Sequence, residues 1–447
     1  MKKLLYASAI SVIVAIGGFL LGFDFSVISG VLPFIETYFN LNEWQLGFTA
    51  TVINFGAVFG TLVAGPVIDA VGRKKVLITC AILYTISAVL SAIATDFTFF
   101  NIARIIGGLA IGASIITAPV YVAEISPPKY RGRLVGINQF TIVFGISIAY
   151  FSNYFLLDLG ENNWRWMLGV EAFPAALYFL LLLFVPASPR WLVMKHRENA
   201  AREVLHKIVE GQDVEPELKE IQDSLANQQK AFYSDLVSGK MLRIMIIAIV
   251  LGLCQQMSGV NAVFSYAPMI FKQSGAGTQA AFMSAVFVGL VNLLFTVLAI
   301  WLMDKVGRRP LLIAGAVGMT VSHITLTVAA YFNHFEGALV LAAILLFIAS
   351  FASSVGPGYW ILVSEILPNR VRGLAISIIQ GLTSLASMVV VLLFPWELKV
   401  LGLTGTFLVY GFITAFTVML VHFFIPETKG KSLEEIEATL ITAGPEM

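Results

Sequence analysis

Two ionisable side chains of opposite charge interrupt strongly apolar stretches of the chain. Asp24 lies in GGFLLGFDFSVISG, and Arg104 lies in NIARIIGGLAIG. Unpaired charges inside a bilayer are costly, so such residues usually pair or face a water-filled cavity. We therefore predict an Asp24–Arg104 ion pair. Separation of the pair would favour protonation of the carboxylate and would link proton binding to conformation. The alternative is a static salt bridge that fixes helix register.

Three further ionisable residues lie in apolar segments. Glu171, in WMLGVEAFPAAL, is a candidate second titrating group or a gate on the Arg104 network. A buried structural acid is the alternative. His323 and His422 each stand alone in an apolar helical pattern, which is more typical of a core histidine than of a coupling group.

Neutral amides and one tryptophan lie in other apolar segments: Gln139, Gln255, Gln256, Asn261, Asn292 and Trp360. An amide offers both hydrogen-bond donors and acceptors, which suits the vicinal hydroxyls of a sugar. An indole ring suits the apolar face of a pyranose. The alternative is that buried amides simply hold helices together. Several amides with an aromatic platform favour a sugar site.

Two repeated motifs pair acids with basic clusters. DAVGRKK and DKVGRRP each place an acid and an arginine on either side of a glycine, and two E…P…RG elements are their expected partners. The residues concerned are Asp69, Arg73, Glu124, Arg131, Arg133, Asp304, Arg308, Glu365 and Arg372. We interpret them as ion-pair latches between helices that gate the cytoplasmic face. The alternative is that these basic loops only fix topology.

Membrane helices must position these groups. The 447-residue chain is 58% hydrophobic and only 12% charged, against about 25% charged residues in soluble domains. About 20 apolar residues span a bilayer. Twelve such segments occur, at about 7–31, 46–69, 76–95, 99–122, 135–157, 166–186, 242–271, 279–302, 311–331, 338–362, 372–395 and 403–425. The sequence thus predicts an all-α membrane protein with twelve transmembrane helices.

The motifs recur about 240 residues apart, as from Asp69 to Asp304 and from Glu124 to Glu365. We therefore predict two pseudo-symmetric six-helix bundles, joined by a linker of short amphipathic helices. The predicted bounds are 1–188 and 241–427 for the two halves, 189–240 for the linker and 428–447 for a C-terminal tail. Parallel repeats of this kind place a substrate site between the halves, near the bilayer midplane.

The distribution of Lys and Arg predicts the orientation. If the N-terminus is cytoplasmic, only Arg165, Lys272 and Lys399 fall on the outer side, which satisfies the positive-inside rule. Both termini are then cytoplasmic. The first apolar run is too long for a signal peptide, so we interpret it as a retained membrane helix of an inner-membrane protein.

The motifs together resemble those of the sugar porter family of the major facilitator superfamily, and in particular its bacterial sugar–proton symporters and animal glucose facilitators. The likeness runs from GFDFSVISG to PETKGKSLEEIE and includes ARIIGG, CQQMSGVNAVFSYAP and SEILPNRVRG. It implies alternating access by rocking of the two halves. It also implies proton coupling at Asp24 with Arg104, an acid network at Glu171, and sugar contacts at the amides and Trp360. Positions at or beside the same cavity are Phe23, Tyr266, Phe351, Gly356 and Thr383.

The chain departs from the family pattern in places. VPASPR lacks the usual Glu, so we expect the latch of that half to be weaker or differently wired. Ala70 stands where a basic residue is common. Ser265 and Ser384 stand where aromatic side chains are often found, and Thr383 where an amide is often found. These changes should widen the cavity or alter its chemistry, so the sugar itself stays open.

The sequence therefore predicts a secondary transporter that imports a hexose or pentose together with a proton. Proton-independent uniport and a membrane sugar sensor are the alternatives, although the short segment after residue 426 argues against a sensor. A drug–proton antiporter fits an amide-rich cavity less well. No enzyme is indicated, because no metal-ligand cluster, nucleophile–base set or phosphate-binding loop is present. We expect no cofactor, metal or nucleic-acid partner, and a functional monomer.

Overall fold

The computed structural model describes residues 2–127, 130–208, 213–226, 233–237, 239–368 and 371–429. Over these residues the chain consists of helices joined by short connections, without a β-strand. The predicted all-α class is therefore confirmed. The chain divides into two compact units. Unit 1 comprises residues 1–40 and 51–228, and unit 2 comprises residues 41–50 and 229–447.

The described residues of unit 1 form ten helices, and the first five are long because about 20 helical residues span a bilayer and backbone polar groups in hydrocarbon must be satisfied within the segment. They are α1 (Lys2–Tyr38), α2 (Glu43–Val71), α3 (Arg73–Ile93), α4 (Phe97–Ile125), α5 (Arg131–Phe155), α6 (Asn163–Gly169), α7 (Ala172–Leu183), α8 (Pro189–Met194), α9 (Glu198–Ile208) and α10 (Glu215–Ala226). The start of α2 belongs to unit 2. Within unit 1, α1 packs against α4 and α5, and α3 packs against α4 and α7.

Two of the irregular points in the helical segments of unit 2 concern the predicted sugar site. Its elements are α11 (Tyr233–Leu236), α12 (Gly239–Met257), α13 (Val260–Gln273), α14 (Thr278–Val306), α15 (Arg308–Tyr331), α16 (Gly337–Ser350), a π-helical turn (Phe351–Val355), α17 (Gly356–Ile366) and α18 (Arg372–Phe424). The chain breaks between α12 and α13, and it widens into the π-helical turn before α17. Both irregular points lie beside predicted sugar-binding residues.

Eleven helical stretches within the described residues are long and apolar enough to cross a membrane. The predicted eleventh and twelfth segments, 372–395 and 403–425, both fall in α18, which is 53 residues long. Gly402, with φ 66° and ψ 179°, interrupts the helical geometry between them. The count of eleven differs from the predicted twelve because the two segments are counted as one helix across the kink at Gly402.

Glycines allow α2 and α4 to pack closely. A Cβ on Gly56 would collide with the carbonyl oxygen of Ile105, and a Cβ on Gly108 would collide with that of Ile53. Small residues permit such backbone contact between apolar helices in a membrane. The contact holds α4, which carries Arg104, firmly within unit 1.

Short amphipathic helices follow the last long helix of unit 1. The buried side of α9 consists of Ala201, Val204, Leu205 and Ile208. These residues pack into the same apolar core as α1, α3 and α4. The polar stretch that the sequence assigned to a linker is therefore seated on unit 1 as far as α10.

Candidate functional site

Asp24 on α1 and Arg104 on α4 form a buried ion pair, and each residue is 1% exposed. Nη1 of Arg104 donates to Oδ1 of Asp24, and Nη2 donates to the backbone oxygen of Asp24 at 2.9 Å. Hydrogen bonds between charged groups are stronger than neutral ones. The guanidinium therefore holds both the carboxylate and the backbone of α1 against α4.

Gly107 provides the space for the Asp24 carboxylate. A Cβ at this position would lie 2.9 Å from Oδ2 of Asp24 and 2.6 Å from the hydroxyl oxygen of Ser87. Ser87 on α3 is itself fixed, because its hydroxyl donates to the Ala103 carbonyl at 2.8 Å. Oδ2 of Asp24 accepts no hydrogen bond from the described residues. Oδ2 of Asp24 thus lies in a space that the absence of a side chain at Gly107 keeps open.

Glu171 supplies a second carboxylate beside the pair. It lies at the turn between α6 and α7 and is 2% exposed. Its side chain interacts electrostatically with Asp24 and Arg104, and its Oε1 has no hydrogen-bond donor in the described part of the chain. Two carboxylates thus accompany one guanidinium. Full ionisation leaves one uncompensated negative charge, which is costly to bury, and binding of one proton removes that charge.

In unit 2, two of the predicted amides lie just before the break between α12 and α13, and a third lies just after it. The amide nitrogen of Gln255 donates to the carbonyl oxygens of Val355 and Gly356 at 3.0 and 3.1 Å. Its Oε1 is buried and accepts no hydrogen bond from any described group. Nδ2 of Asn261 donates to Oε1 of Gln256 at 2.6 Å. The structure therefore brings these amides together beside the π-helical turn.

The π-helical turn and α17 place three more predicted residues nearby. A Cβ on Gly356 would lie 2.9 Å from the ring of Phe351, so this ring covers the glycine. Trp360 is partly exposed and packs edge-on against Tyr359, with ring centroids 4.9 Å apart. Asn292 is buried on α14, which packs against the π-helical turn. Unit 2 thus assembles amides and aromatic rings around one irregular segment.

Tyr266 and Thr383 use their hydroxyl groups within unit 2. The Tyr266 hydroxyl donates to the Val391 carbonyl at 3.1 Å, and its ring stacks on Phe394 with centroids 5.0 Å apart. Thr383 is buried, and its hydroxyl donates to the Gln380 carbonyl at 3.1 Å. Tyr266 thereby joins α13 to α18, and the contact of either residue with a sugar stays a prediction.

Two predicted sugar contacts lie in unit 1, on the packed helices α1 and α5. Phe23 is buried, and its ring centroid lies 5.9 Å from that of Phe19. Gln139 is exposed on α5. Their roles also stay predictions.

An ion-pair network links three helices at one end of unit 1. Nη2 of Arg73 donates to Oε1 of Glu124 at 2.8 Å, and Nη1 donates to Oδ1 of Asp69 at 3.0 Å. The Ser188 hydroxyl donates to Oε2 of Glu124 at 2.5 Å. The side chains of Arg73 and Glu124 are only 7% and 9% exposed. The network joins α2, α3 and α4 to the turn before α8.

Unit 2 repeats this network with different surroundings. Nη2 of Arg308 donates to Oε1 of Glu365 at 2.9 Å, and the Thr428 hydroxyl donates to Oε2 of Glu365 at 2.6 Å. The side chain of Asp304 lies outside the described part of the structure. Glu427 accepts hydrogen bonds from the backbone amides of Arg308 and Arg309 at 3.0 and 3.2 Å, and so caps α15.

Unit 1 has no carboxylate at the equivalent point, because Ala187 stands where unit 2 has Glu427. Trp191 takes that place. A Cβ on Gly72 would lie 2.8 Å from the Trp191 ring, and the indole nitrogen donates to the Asp69 carbonyl at 3.3 Å. The latch of this half is therefore differently wired, with an aromatic ring in place of a helix-capping acid.

The remaining predicted gate residues have other partners. Arg372 donates to the Leu367 carbonyl at 3.0 and 3.1 Å. Arg131 lines a cavity of about 410 Å³ together with Glu124 and Arg190. Arg133 is exposed on α5. In both E…P…RG elements the glutamate contacts an arginine, Arg73 for Glu124 and Arg308 for Glu365. The arginine of the second element, Arg372, binds a backbone carbonyl instead.

Sequence reasoning missed several residues of these sites. Ser387 on α18 lies 2.7 Å from Nδ2 of Asn261, and hydroxyls are too common in membrane helices for its spacing to reveal this. Gly107 was one glycine among 37. Ser188 and Thr428 could have been found, because they occupy the same place in PASPR and PETKG.

Comparisons with known proteins identify the family of this chain. A family model described as "Sugar (and other) transporter" matches residues 10–440. The chain belongs to the sugar transporter family. Among curated relatives, the arabinose–proton symporter of Bacillus subtilis is 38% identical over 96% of this chain and 94% of its own. The glucose transporter GlcP of Staphylococcus epidermidis is 35% identical, with 95% of each chain covered.

A solved structure of the same family has a similar fold. The xylose transporter XylE of E. coli, in a partially occluded inward open conformation, aligns with a TM-score of 0.85 and 33% identity. The alignment covers 96% of this chain and 99% of that chain. The sugar porter resemblance expected from the motifs is thus confirmed, and this member of the family is a membrane protein of helical architecture.

Proposed function

We propose that this sugar transporter imports a monosaccharide together with a proton by alternating access. The observation that carries the proposal is the buried cluster of Asp24, Arg104 and Glu171 in unit 1. A facilitator that moves only sugar has no evident need for two buried acids beside one cation. The sugar–proton symport named for the arabinose relative adds support.

The cluster suggests how a proton is coupled to conformation. With the ion pair formed, a proton neutralises the excess negative charge on the two carboxylates. Transfer of that proton to Asp24 removes the charge attraction between the Asp24 carboxylate and Arg104 and leaves the hydrogen bond to the Asp24 backbone, so α1 and α4 separate more easily at this point. Release of the proton restores the pair. Proton binding thereby favours one arrangement of α1 and α4 over the other, as a ligand does when it shifts a population.

The amides of unit 2 are the proposed sugar ligands. Gln255 presents a buried Oε1 that has no donor among the described residues, and a hydrogen bond joins Asn261 to Gln256. Amide groups can accept from and donate to neighbouring sugar hydroxyls, and Trp360 offers an aromatic surface. We propose that Gln139, Asn292, Tyr266, Phe23, Phe351, Gly356 and Thr383 also contact the sugar.

The proposed topology has twelve membrane crossings in two six-helix halves, 1–188 and 241–427. A helix of 53 residues would extend about 80 Å, whereas the hydrocarbon core is about 30 Å thick. We therefore propose that α18 crosses twice, on either side of Gly402. The linker 189–240, both latches and both termini are cytoplasmic, by the positive-inside rule. Residues 430–447 of the tail 428–447 lie outside the described part of the chain. We propose a functional monomer without catalytic activity.

Uptake into liposomes under an imposed proton gradient tests the symport. We expect the wild type to accumulate sugar above its equilibrium level. Asp24→Asn should lose accumulation but retain counterflow exchange, because exchange needs binding and not net proton release. Asp96→Asn is the matched control, since Asp96 is an exposed cap at the start of α4.

Two results would contradict the proposal. If Asp24→Asn accumulates sugar as the wild type does, Asp24 does not couple the proton. If the wild type only equilibrates sugar and causes no alkalinisation of the medium, the protein is a uniporter. Competition by arabinose, xylose and glucose in one uptake assay would then identify the preferred sugar in either case.

A further inference from the structure

The break between α12 and α13 lies at Ser258 and Gly259. Gly259 has φ 87° and ψ 1°, the left-handed conformation that side chains disfavour. Helix ends leave carbonyl groups without intrahelical partners, so a break inside a membrane needs donors from elsewhere. The structure supplies one such donor from α15.

That donor is His323, which the proposed mechanism does not use. It is 0% exposed, and its Nε2 lies 3.0 Å from the carbonyl oxygen of Ser258. A carbonyl can only accept, so Nε2 carries the hydrogen. The ring is enclosed by Phe347, Phe407 and Tyr410, with centroids 4.5, 6.1 and 5.9 Å away. Nδ1 has no partner among the described residues, as suits an unprotonated nitrogen in apolar surroundings.

Tyr410 on α18 holds the other side of the break. A Cβ on Gly259 would lie 2.5 Å from the Tyr410 ring, so the ring packs directly on the glycine backbone. The Tyr410 hydroxyl donates to Oε2 of Glu397 at 2.8 Å, which fixes the ring. Residues of α15 and α18 therefore contact the break from two sides and restrict its movement.

The break held by His323 and Tyr410 sets the positions of the proposed sugar ligands. Gln255 and Gln256 lie in the last turn of α12, and Asn261 lies in the first turn of α13. The hydrogen bond from Asn261 to Gln256 spans the break. The Ser258 hydroxyl donates to the Gln255 carbonyl at 2.7 Å. Any rotation about Ser258 and Gly259 would therefore move Asn261 relative to both glutamines.

We propose that His323 is a positioning residue for sugar binding. Its neutral imidazole donates to the Ser258 carbonyl and holds the α12–α13 break in the geometry that aligns Gln255, Gln256 and Asn261. The inference rests on the proposed sugar site. A histidine that merely fills the core would be replaced equally well by any side chain of similar volume, whereas this role needs a hydrogen-bond donor.

Equilibrium sugar binding to the purified protein tests the donor. His323→Leu keeps apolar volume but removes the donor, and we expect sugar binding to weaken by about tenfold, the factor expected from one lost buried hydrogen bond. His323→Gln retains a donor of similar reach and should restore affinity to within about threefold of the wild type. On a free-energy scale this difference is about half of the tenfold effect. His422→Leu, at an exposed position of the same unit, is the matched control.

Hydrogen exchange of the segment around 256–262 provides a readout that needs no sugar. We expect faster exchange there in His323→Leu, with α4 unchanged and with wild-type exchange restored in His323→Gln. Unchanged exchange and unchanged affinity in His323→Leu would overturn the inference, and so would a folded His323→Gln that is as impaired as the leucine variant. If the wild type binds no monosaccharide, the proposed function fails. The exchange experiment then still tests whether His323 holds the α12–α13 break.

Discussion

Among single residues, the buried Asp24 carboxylate depends on Gly107 for the space that it occupies. Asp24, Arg104 and Glu171 stand out because ionisable residues are rare in apolar segments. Gly107 does not stand out, since its role depends on the approach of α1 and α3 to α4. The same holds for His323, which the sequence treats as a core histidine and the structure places against a helix break.

The role of Gly107 can be tested by adding one methyl group. We expect Gly107→Ala to disturb the Asp24–Arg104 pair, because its Cβ would meet Oδ2 of Asp24 and the Ser87 hydroxyl at under 3 Å. Overpacking of this kind costs about 1–3 kcal/mol. Proton-driven accumulation should fall, and the thermal midpoint of the purified protein should drop.

Gly65→Ala is the control for this substitution. Gly65 lies inside α2, and a Cβ there would meet nothing within 4 Å. Alanine favours a helix over glycine by up to about 1 kcal/mol, so this variant should be as stable as the wild type or more stable. Equal accumulation in Gly107→Ala and the wild type would show that the carboxylate does not depend on this space.

At the scale of elements, apolar length predicted most of the helices, and turn chemistry predicted less. The periodic runs gave α3, α4 and α5 within a few residues. The break after Met257 and the π-helical turn before Gly356 were not predicted, because a glycine in an apolar run is compatible with a straight helix. They depend on packing by Tyr410 and on the Gln255 hydrogen bonds, which join distant parts of the chain.

The capping difference between the halves gives a prediction for helix α15. Glu427 accepts hydrogen bonds from two amides at the start of α15, and a carboxylate also interacts favourably with the helix dipole there. We expect Glu427→Ala to destabilise unit 2 by about 1–2 kcal/mol. Denaturation of the purified protein, followed by the thermal midpoint, measures this effect.

Glu336→Ala provides the matched control, because Glu336 stands at the N-cap of α16 without a side-chain capping hydrogen bond. It should change the midpoint little. If both variants lower the midpoint equally, capping by Glu427 is not the cause. Ala187→Glu is expected to give no gain in unit 1, since Trp191 already covers Gly72.

At the scale of the whole molecule, the internal repeat was readable because the motifs recur at one offset. Their partners within each half were also readable, since Arg73 and Arg308 meet Glu124 and Glu365. The different surroundings of the two latches were only partly readable. The missing acid in PASPR indicated a difference, but the substitute, Trp191, emerges only from the packed structure.

The two latches should contribute unequally to transport. The side chains of Arg73 and Glu124 are 7% and 9% exposed, whereas those of Arg308 and Glu365 are 16% and 23% exposed. Removing the acid from a more buried pair leaves the arginine charge less well compensated at a higher cost, even though Asp69 still contacts Arg73, and solvent weakens more exposed pairs. We therefore expect Glu124→Gln to change the initial rate of sugar uptake more than Glu365→Gln.

Double-mutant cycles separate each pair from its surroundings. The Arg73–Glu124 coupling should exceed the Arg308–Glu365 coupling, with both measured as changes in stability and in uptake rate. Thr428→Ala and Ser188→Ala, which remove the hydroxyl donor from each glutamate, serve as equivalent controls in the two halves. Equal couplings would mean that burial does not set the strength of the latches. A larger Arg308–Glu365 coupling would also contradict the expectation. It would indicate that Glu427 strengthens that pair more than burial strengthens the Arg73–Glu124 pair.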